Sequence, residues 1–347
     1  MYRSLLRPLL FLIYPEKVHL LIVIVVKIAF IIPGLKFLIS SICRTKDKVL
    51  ETEICGITFP NPVGLAAGFD KDGTFFNEFS AFGFSHIEIG TITPVGQAGN
   101  PKPRSFRLPK DNALINRMGF NNSGVDEVIK RLGKRRSKVI LGGNIGKNKI
   151  TENEYATQDY LTCFKKLHRY VDYIAINISS PNTPNLRELH NKEPLNQLLK
   201  ELTTLNKSLE KPKPIFLKIS PDLTDHQIDD ILEVIRINDI SGVIATNTTT
   251  GRNNLRTDPE FVRRIGDGGL SGKPLKDRST EVIRYVFGKT AGKLPIIGVG
   301  GITSPEDAIE KLEAGASLVQ IYTGFIYEGP ALVKRINKAI LRKRKGK

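Results

Sequence analysis

The sequence predicts an α/β protein: a (β/α)8 barrel of the TIM type with a short N-terminal apolar helical extension. Three observations predict it. Eight nearly continuous apolar runs recur between residues 62 and 323, helix-period segments lie between most of them, and polar residues close nearly every run. Apolar strands alternating with helices imply a parallel sheet covered on both faces. A doubly wound sheet shares the alternation, but only a barrel brings all those polar strand ends to one mouth.

The first unit is residues 1–48. Its most apolar stretch, "VHLLIVIVVKIAFIIPGLKFLISSI" (18–42), is interrupted by Lys27 and broken at Pro33-Gly34. A helix from Leu20 to Ile32 rises about 20 Å, short of the roughly 30 Å hydrocarbon core. The Pro-Gly break predicts two short helices meeting at a corner. No small-residue cleavage site marks a secretory signal. A helical hairpin in one leaflet is the expectation, with a single kinked span or a helix pair folded onto the barrel as alternatives.

The barrel is expected over residues 49–335. Its strands are "PVGLAA" (62–67), "HIEIGTI" (86–92), "VILGGNI" (139–145), "YIAINIS" (173–179), "IFLKIS" (215–220), "GVIATN" (242–247), "PIIGVGG" (295–301) and "SLVQIYT" (317–323). Between them "YLTCFKKLHRYV" and "DHQIDDILEVIRI" carry helical spacing, and "SPEDAIEKLEAG" opens on a capping serine. Residues 336–347 read as a basic C-terminal tail.

The net charge of +17 is concentrated at the two ends. Residues 1–48 hold eight Lys/Arg against Glu16 and Asp47, and residues 331–347 hold eight more with no acid. The remainder carries 36 basic and 33 acidic residues. Terminal basic clusters beside apolar helices point to an anionic lipid surface, and the near-neutral body speaks against a nucleic-acid groove. Cys43, Cys55 and Cys163 are scattered without a CxxC pair, which excludes a zinc ribbon or disulfide scaffold and suits a reducing compartment.

The expected mouth gathers Lys71, Thr91, Asn144, Asn177, Lys218, Thr246, Asn247, Gly300, Gly301, Tyr322 and Thr323. Loops after the last two strands of such a barrel commonly dock a phosphate. No Walker sequence or strand-following GxGxxG is present, which leaves a phosphorylated substrate, PLP or FMN. PLP would need a partner for its pyridine nitrogen, and none is marked. A lysine beside a flavin's pyrimidine edge stabilises the negative charge that arises there on reduction. A set of asparagines, each both donor and acceptor, suits a planar ligand with imide and carboxylate edges.

"NPVGLAAGFDKDG", "GNPKPRSFRLP", "INRMGFNNSG", "NISSPNTPNLR", "ATNTT", "GGLSGKPL", "IIGVGGI" and "GASLVQIYTG" resemble the dihydroorotate dehydrogenases of pyrimidine synthesis. "PEKVH" ahead of an apolar segment is similar to the membrane-associated, quinone-using class. The resemblance covers residues 1 to about 335. It implies oxidation of dihydroorotate to orotate with one FMN per chain, electrons passing to a membrane quinone, and peripheral attachment on the cytoplasmic side of the cell membrane.

By the same resemblance Ser180 is the catalytic base, taking a proton from C5 of dihydroorotate while C6 passes hydride to FMN. A serine hydroxyl is a poor base and must hand its proton on, through Thr183 or ordered water. The implied FMN contacts are Ala67, Gly68, Phe69, Asp70, Lys71, Thr91, Asn144, Asn177, Lys218, Thr246, Gly272, Gly301, Tyr322 and Thr323. The implied substrate contacts are Lys71, Asn116, Arg117, Met118, Gly119, Phe120, Asn177, Asn182, Asn247 and Thr248. His19, Arg107 and Tyr322 would line the quinone approach, and no metal is implied. Rival readings are a tRNA dihydrouridine synthase, which would want a cysteine acid and a basic body, and a phosphate-sugar isomerase, which would leave the lysines and asparagines unexplained.

Overall fold

The computed structural model describes residues 2–346. Eight parallel strands close a barrel: β1 (Val63–Asp70), β2 (His86–Ile92), β3 (Ile140–Ile145), β4 (Tyr173–Asn177), β5 (Ile215–Ile219), β6 (Gly242–Ala245), β7 (Ile296–Val299) and β8 (Leu318–Ile321). Each pairs with its sequence neighbours, and β8 closes on β1 through Val319 opposite Val63. The predicted strands are all present, six of them one to three residues shorter, while β1 runs on to Asp70. Their apolar composition follows from burial on both faces. Ala66, Tyr173, Ala175, Phe216, Ile244, Ile297 and Leu318 fill the barrel, and Ile54 and Phe59 of a bottom hairpin plug it. Ile87, Ile174, Leu217 and Val243 belong to the larger core outside, among the helices.

Helix ends follow the sequence closely. The helix Asp225–Ile237 is capped by Thr224, which accepts from Gln227 N. The helix Pro305–Glu313 is capped by Ser304 in a reciprocal box with Asp307. Antiparallel excursions that no sequence pattern marks flank the mouth: Ser105–Leu108, Ala113–Asn116 and Gly269–Gly272 form one sheet, Val95–Gln97 and Asn122–Gly124 another. Their short polar strands carry no clear alternation.

Two findings concern the ends. The apolar stretch forms two helices, α1 (Pro15–Ala29) and α2 (Leu35–Cys43), with Gly34 at φ +80° between them, and further short helical turns cover Tyr2–Leu6 and Arg7–Phe11. Val18 and Val23 face the barrel, while Leu20, Ile28, Ile31 and Phe37 are exposed. No helix among the described residues is long and apolar enough to cross a membrane. At the other end, the expected tail boundary at 336 falls inside the helix Ala331–Arg344, which buries Ile336, Asn337 and Ile340. The i, i+4 spacing of Leu332, Ile336 and Ile340 places them on one face despite the lysines and arginines between them. Arg344 Nη1 donates to Val49 O at 2.7 Å and Lys345 pairs with Asp47 at 2.5 Å, so part of the terminal charge is spent on the chain's own linker. Lys347 lies outside the described residues.

Candidate active site at the barrel mouth

The C-terminal strand ends surround a cavity that is partly open to solvent. Of the residues implied above, Ala67, Gly68, Lys71, Thr91, Asn116, Met118, Gly119, Phe120, Asn177, Ser180, Asn182, Lys218, Thr246, Asn247, Thr248, Gly272, Gly301, Tyr322 and Thr323 line it. Phe69, Asp70, Asn144, Arg117, His19 and Arg107 do not.

The end of β1 explains part of that division. A register shift between Leu65 and Asp70 and a positive φ of 93° at Gly68 turn the strand over the mouth. Lys71 then reaches back, its ammonium donating to Gly68 O at 3.2 Å. Burial, with the Arg104 charge adding to it, lowers its pKa to about 8. Asp70 points the other way, accepting from Thr74 N and Phe75 N at 2.8 and 3.0 Å to hold the following turn. Phe69 joins the rings of His19, Phe75, Phe79, Phe325 and Tyr322.

Amides organise the floor. Thr91 Oγ1 donates to Asn144 Oδ1 at 2.5 Å, and Asn177 Nδ2 donates to Thr91 Oγ1 at 2.8 Å. Asn247 Nδ2 donates to Asn177 Oδ1 at 3.2 Å and to Ser179 Oγ at 3.0 Å. Each chain of donors fixes which amide edge faces the cavity.

The loop 178–190 carries Ser180. Arg187 braces it, donating to Ser179 O at 3.2 Å and Thr248 O at 3.3 Å while pairing with Asp222 at 2.9 Å. Ser180 Oγ accepts from Asn182 N at 3.2 Å, and Asn182 Nδ2 donates to Asn116 Oδ1 at 3.2 Å. The hydroxyl of Thr183 is buried without a partner among the described residues. Arg117, by contrast, is engaged outside the cavity, with Ile265 O at 2.5 Å and with Pro103 O.

Part of the mouth is glycine backbone. A Cβ at Gly301 would lie 2.3 Å from Lys276 Cα, and one at Gly324 would lie 2.0 Å from Ile302 O. The N–H groups of Gly301 and Ile302 meet no acceptor among the described residues. Those of Thr323 and Gly324, in the first turn of the helix Thr323–Glu328, have none within the helix.

Below and beside this, α1 closes one flank. His19 Nε2 donates to Phe69 O at 2.9 Å, and burial lowers its pKa to about 4. Arg107 Nη1 donates to Ile13 O at 2.6 Å and its guanidinium lies 4.5 Å from the centre of the Phe11 ring. Sequence reasoning missed Glu88, Gln320, Arg187, Ser271 and Ile302. A carboxylate within the apolar run "HIEIGTI" was the one available signal for Glu88.

A sequence profile of the dihydroorotate dehydrogenases matches residues 49–343. The chain belongs to the dihydroorotate dehydrogenase family. It is 56% identical over 343 residues to a dihydroorotate dehydrogenase (quinone) of Christiangramia forsetii, covering 99% of each chain. A protein of the same name from Idiomarina loihiensis is 49% identical over 338 residues, covering 96% and 98%. The crystal structure of the Eimeria tenella dihydroorotate dehydrogenase in complex with ferulenol superimposes with a TM-score of 0.83 at 37% identity, covering 96% and 92%. The chain is thus an oxidoreductase of the quinone-dependent dihydroorotate dehydrogenases, a family that oxidises dihydroorotate in pyrimidine synthesis with a flavin.

The residues present fit a flavin mononucleotide. Unpaired N–H groups set in glycine backbone suit a phosphate. Lysines 71 and 218 and the amide set suit a ring whose pyrimidine edge both donates and accepts. Gln320 Oε1, on a residue that lines the cavity, is buried with no donor among the described residues.

Proposed function

We propose that this dihydroorotate dehydrogenase oxidises dihydroorotate to orotate with FMN held in the barrel mouth, using Ser180 as base, and passes the electrons to a membrane quinone beside the N-terminal helices. The observation that carries the reading is one cavity lined both by the Gly301–Ile302 and Thr323–Gly324 backbone and by Lys71, Ser180 and Asn182. Ala67, Gly68, Thr91, Thr246, Gly272, Tyr322 and Thr323 would hold FMN, with Lys218 at its pyrimidine edge. When bound, FMN supplies the hydride acceptor for C6 of the substrate and the carrier to quinone.

Asn116, Asn177, Asn182 and Asn247 would hold the substrate flat by complementary amide contacts, with Met118–Phe120 and Thr248 closing around it. Ser180, set by the braced loop, would remove the C5 proton and release it toward Thr183. The Lys71 ammonium would face the substrate carboxylate. His19, Arg107 and Tyr322 would border the quinone path. The exposed apolar faces of α1 and α2, with basic residues beside them, would sit in one leaflet on the cytoplasmic side.

A visible spectrum of the purified protein together with a dihydroorotate assay against several acceptors tests the reading. Oxidised-flavin bands, and reduction of ubiquinone or menaquinone in preference to fumarate or NAD, are expected. A colourless protein, or one that reduces fumarate or NAD and no quinone, would refute it.

A further inference from the structure

Beneath the cavity floor lies a carboxylate that the proposed chemistry does not use. Glu88, on β2, is completely buried and is not among the cavity-lining residues. Its Oε1 accepts from Asn144 Nδ2 at 2.8 Å and faces Lys218 Nζ at 3.5 Å. Its Oε2 accepts from Gln320 Nε2 at 2.9 Å and Tyr173 OH at 3.2 Å. Among the described residues Lys218 is the only cation within ion-pair distance of it, and Lys218 has no other carboxylate partner.

A buried carboxylate costs free energy unless it is paired and fully hydrogen-bonded. An apolar residue at this inward position would have avoided that cost. Glu88 instead sits at the junction of three elements that reach the cavity: Lys218, Gln320, and Asn144 acting through Thr91 and Asn177. In a low-dielectric interior a charge this close acts strongly on its neighbours.

We propose that Glu88 is a positioning residue that sets the reduction potential of the flavin, acting as counter-charge to Lys218. The inference rests on the proposed placement of FMN over Lys218. The ammonium facing the cavity favours a reduced flavin carrying negative charge; the carboxylate 3.5 Å behind it offsets part of that attraction. The pair presents a dipole, positive end to the flavin, instead of a bare cation. A potential held down in this way leaves the second half of the reaction, return of electrons to quinone, favourable.

The test is the midpoint potential of the purified holoenzyme, titrated against a reference dye, for wild type and Glu88→Gln. Glutamine keeps the shape and removes the charge. The expected result is a rise of the reduced-to-oxidised ratio at fixed potential by at least tenfold, about 30 mV for a two-electron couple, with FMN content at wild-type stoichiometry. An unchanged or lowered potential in a fully loaded variant overturns the proposal. If Glu88→Gln does not retain flavin, Tyr173→Phe serves in its place: losing one hydrogen bond to the carboxylate strengthens its field, so the potential should fall, and no shift counts against the idea. A wild-type protein without FMN would refute the placement of the cofactor itself, which separates the two failures.

Discussion

Glu16, in the first turn of α1, and Arg104, in the loop leading into the sheet strand Ser105–Leu108, form an ion pair of 3.0 Å that ties the N-terminal extension to the barrel mouth. Arg104 also donates to Ala98 O at 2.6 Å and Asn100 O at 3.0 Å, and Asn100 Nδ2 in turn donates to Asn182 O at 3.4 Å. Tyr14 OH receives Arg104 N at 2.7 Å. The extension therefore touches the loop that carries Asn182 through two intervening residues. Glu16→Ala should destabilise the fold by about 1–3 kcal/mol, because it leaves the Arg104 charge short of a partner. It should raise the KM for quinone more than that for dihydroorotate; urea unfolding and separate half-reaction kinetics check both parts.

Ser180→Ala should slow reduction of the bound flavin by dihydroorotate about 10²- to 10⁴-fold. Stopped-flow absorbance gives the rate directly. Orotate affinity should stay near wild type, because the Asn182 and Asn116 amides remain paired with each other. Equal rates for the two proteins would remove Ser180 from the proton-transfer step.

Gly301→Ala tests the phosphate cradle. The residue has φ +73°, and an added Cβ would meet the backbone of Lys276 at 2.3 Å. Strain of this kind costs about 1–3 kcal/mol before the clash is counted. The loop must move, and the ratio of flavin to protein after purification should fall well below one. Full occupancy with an unaltered melting temperature would show that the cradle tolerates displacement.

The extension exposes Ile31 at 77% and Phe37 at 78%. Burying such a side chain is worth about 1.5–3 kcal/mol. Ile31→Glu and Phe37→Glu should each lower partition onto anionic vesicles at least tenfold, read by co-sedimentation. In a background free of the native cysteines, Ser4→Cys and Lys46→Cys should be labelled from the same side of sealed vesicles. Labelling from opposite sides would mean that the segment spans.

Acid should weaken the fold through three histidines that burial holds neutral. Burial lowers the pKa of His86 to about 3 and those of His19 and His190 to about 4. The unfolded chain takes up protons near 6.5 while the folded chain resists, so stability falls as pH drops from 6.5 toward those values, by on the order of 3 kcal/mol for each group. Asp70, raised to about 6 by burial, works in the opposite sense: its contribution is complete below pH 3.8 and is lost as pH rises through 6. Three groups against one leave a net loss on acidification. Denaturant midpoints at pH 7, 6, 5 and 4 should decline, and His190→Gln should flatten the decline.

The sequence by itself determined the barrel, its eight strands and the order of polar groups at their ends. These rest on local physics: a strand buried on both faces must be apolar, and polar residues mark where the chain runs out of the sheet. It also placed the corner at Pro33-Gly34 and the cap at Ser304, where one or two residues dictate the backbone. Tertiary structure alone decided the rest. Which neighbours of Lys71 face the cavity depended on a register shift in β1, which no pattern records. Arg117 and Asp70 left the cavity wall because carbonyls and backbone N–H groups outside it offered better partners. The helix through 336–344 formed because a face of Leu332, Ile336 and Ile340 found a surface to bury, overriding the charge that made the segment look like a tail. Glu88 was visible only as an acid in an apolar strand. Its meaning needed Lys218, 130 residues away in the chain, to arrive 3.5 Å from it.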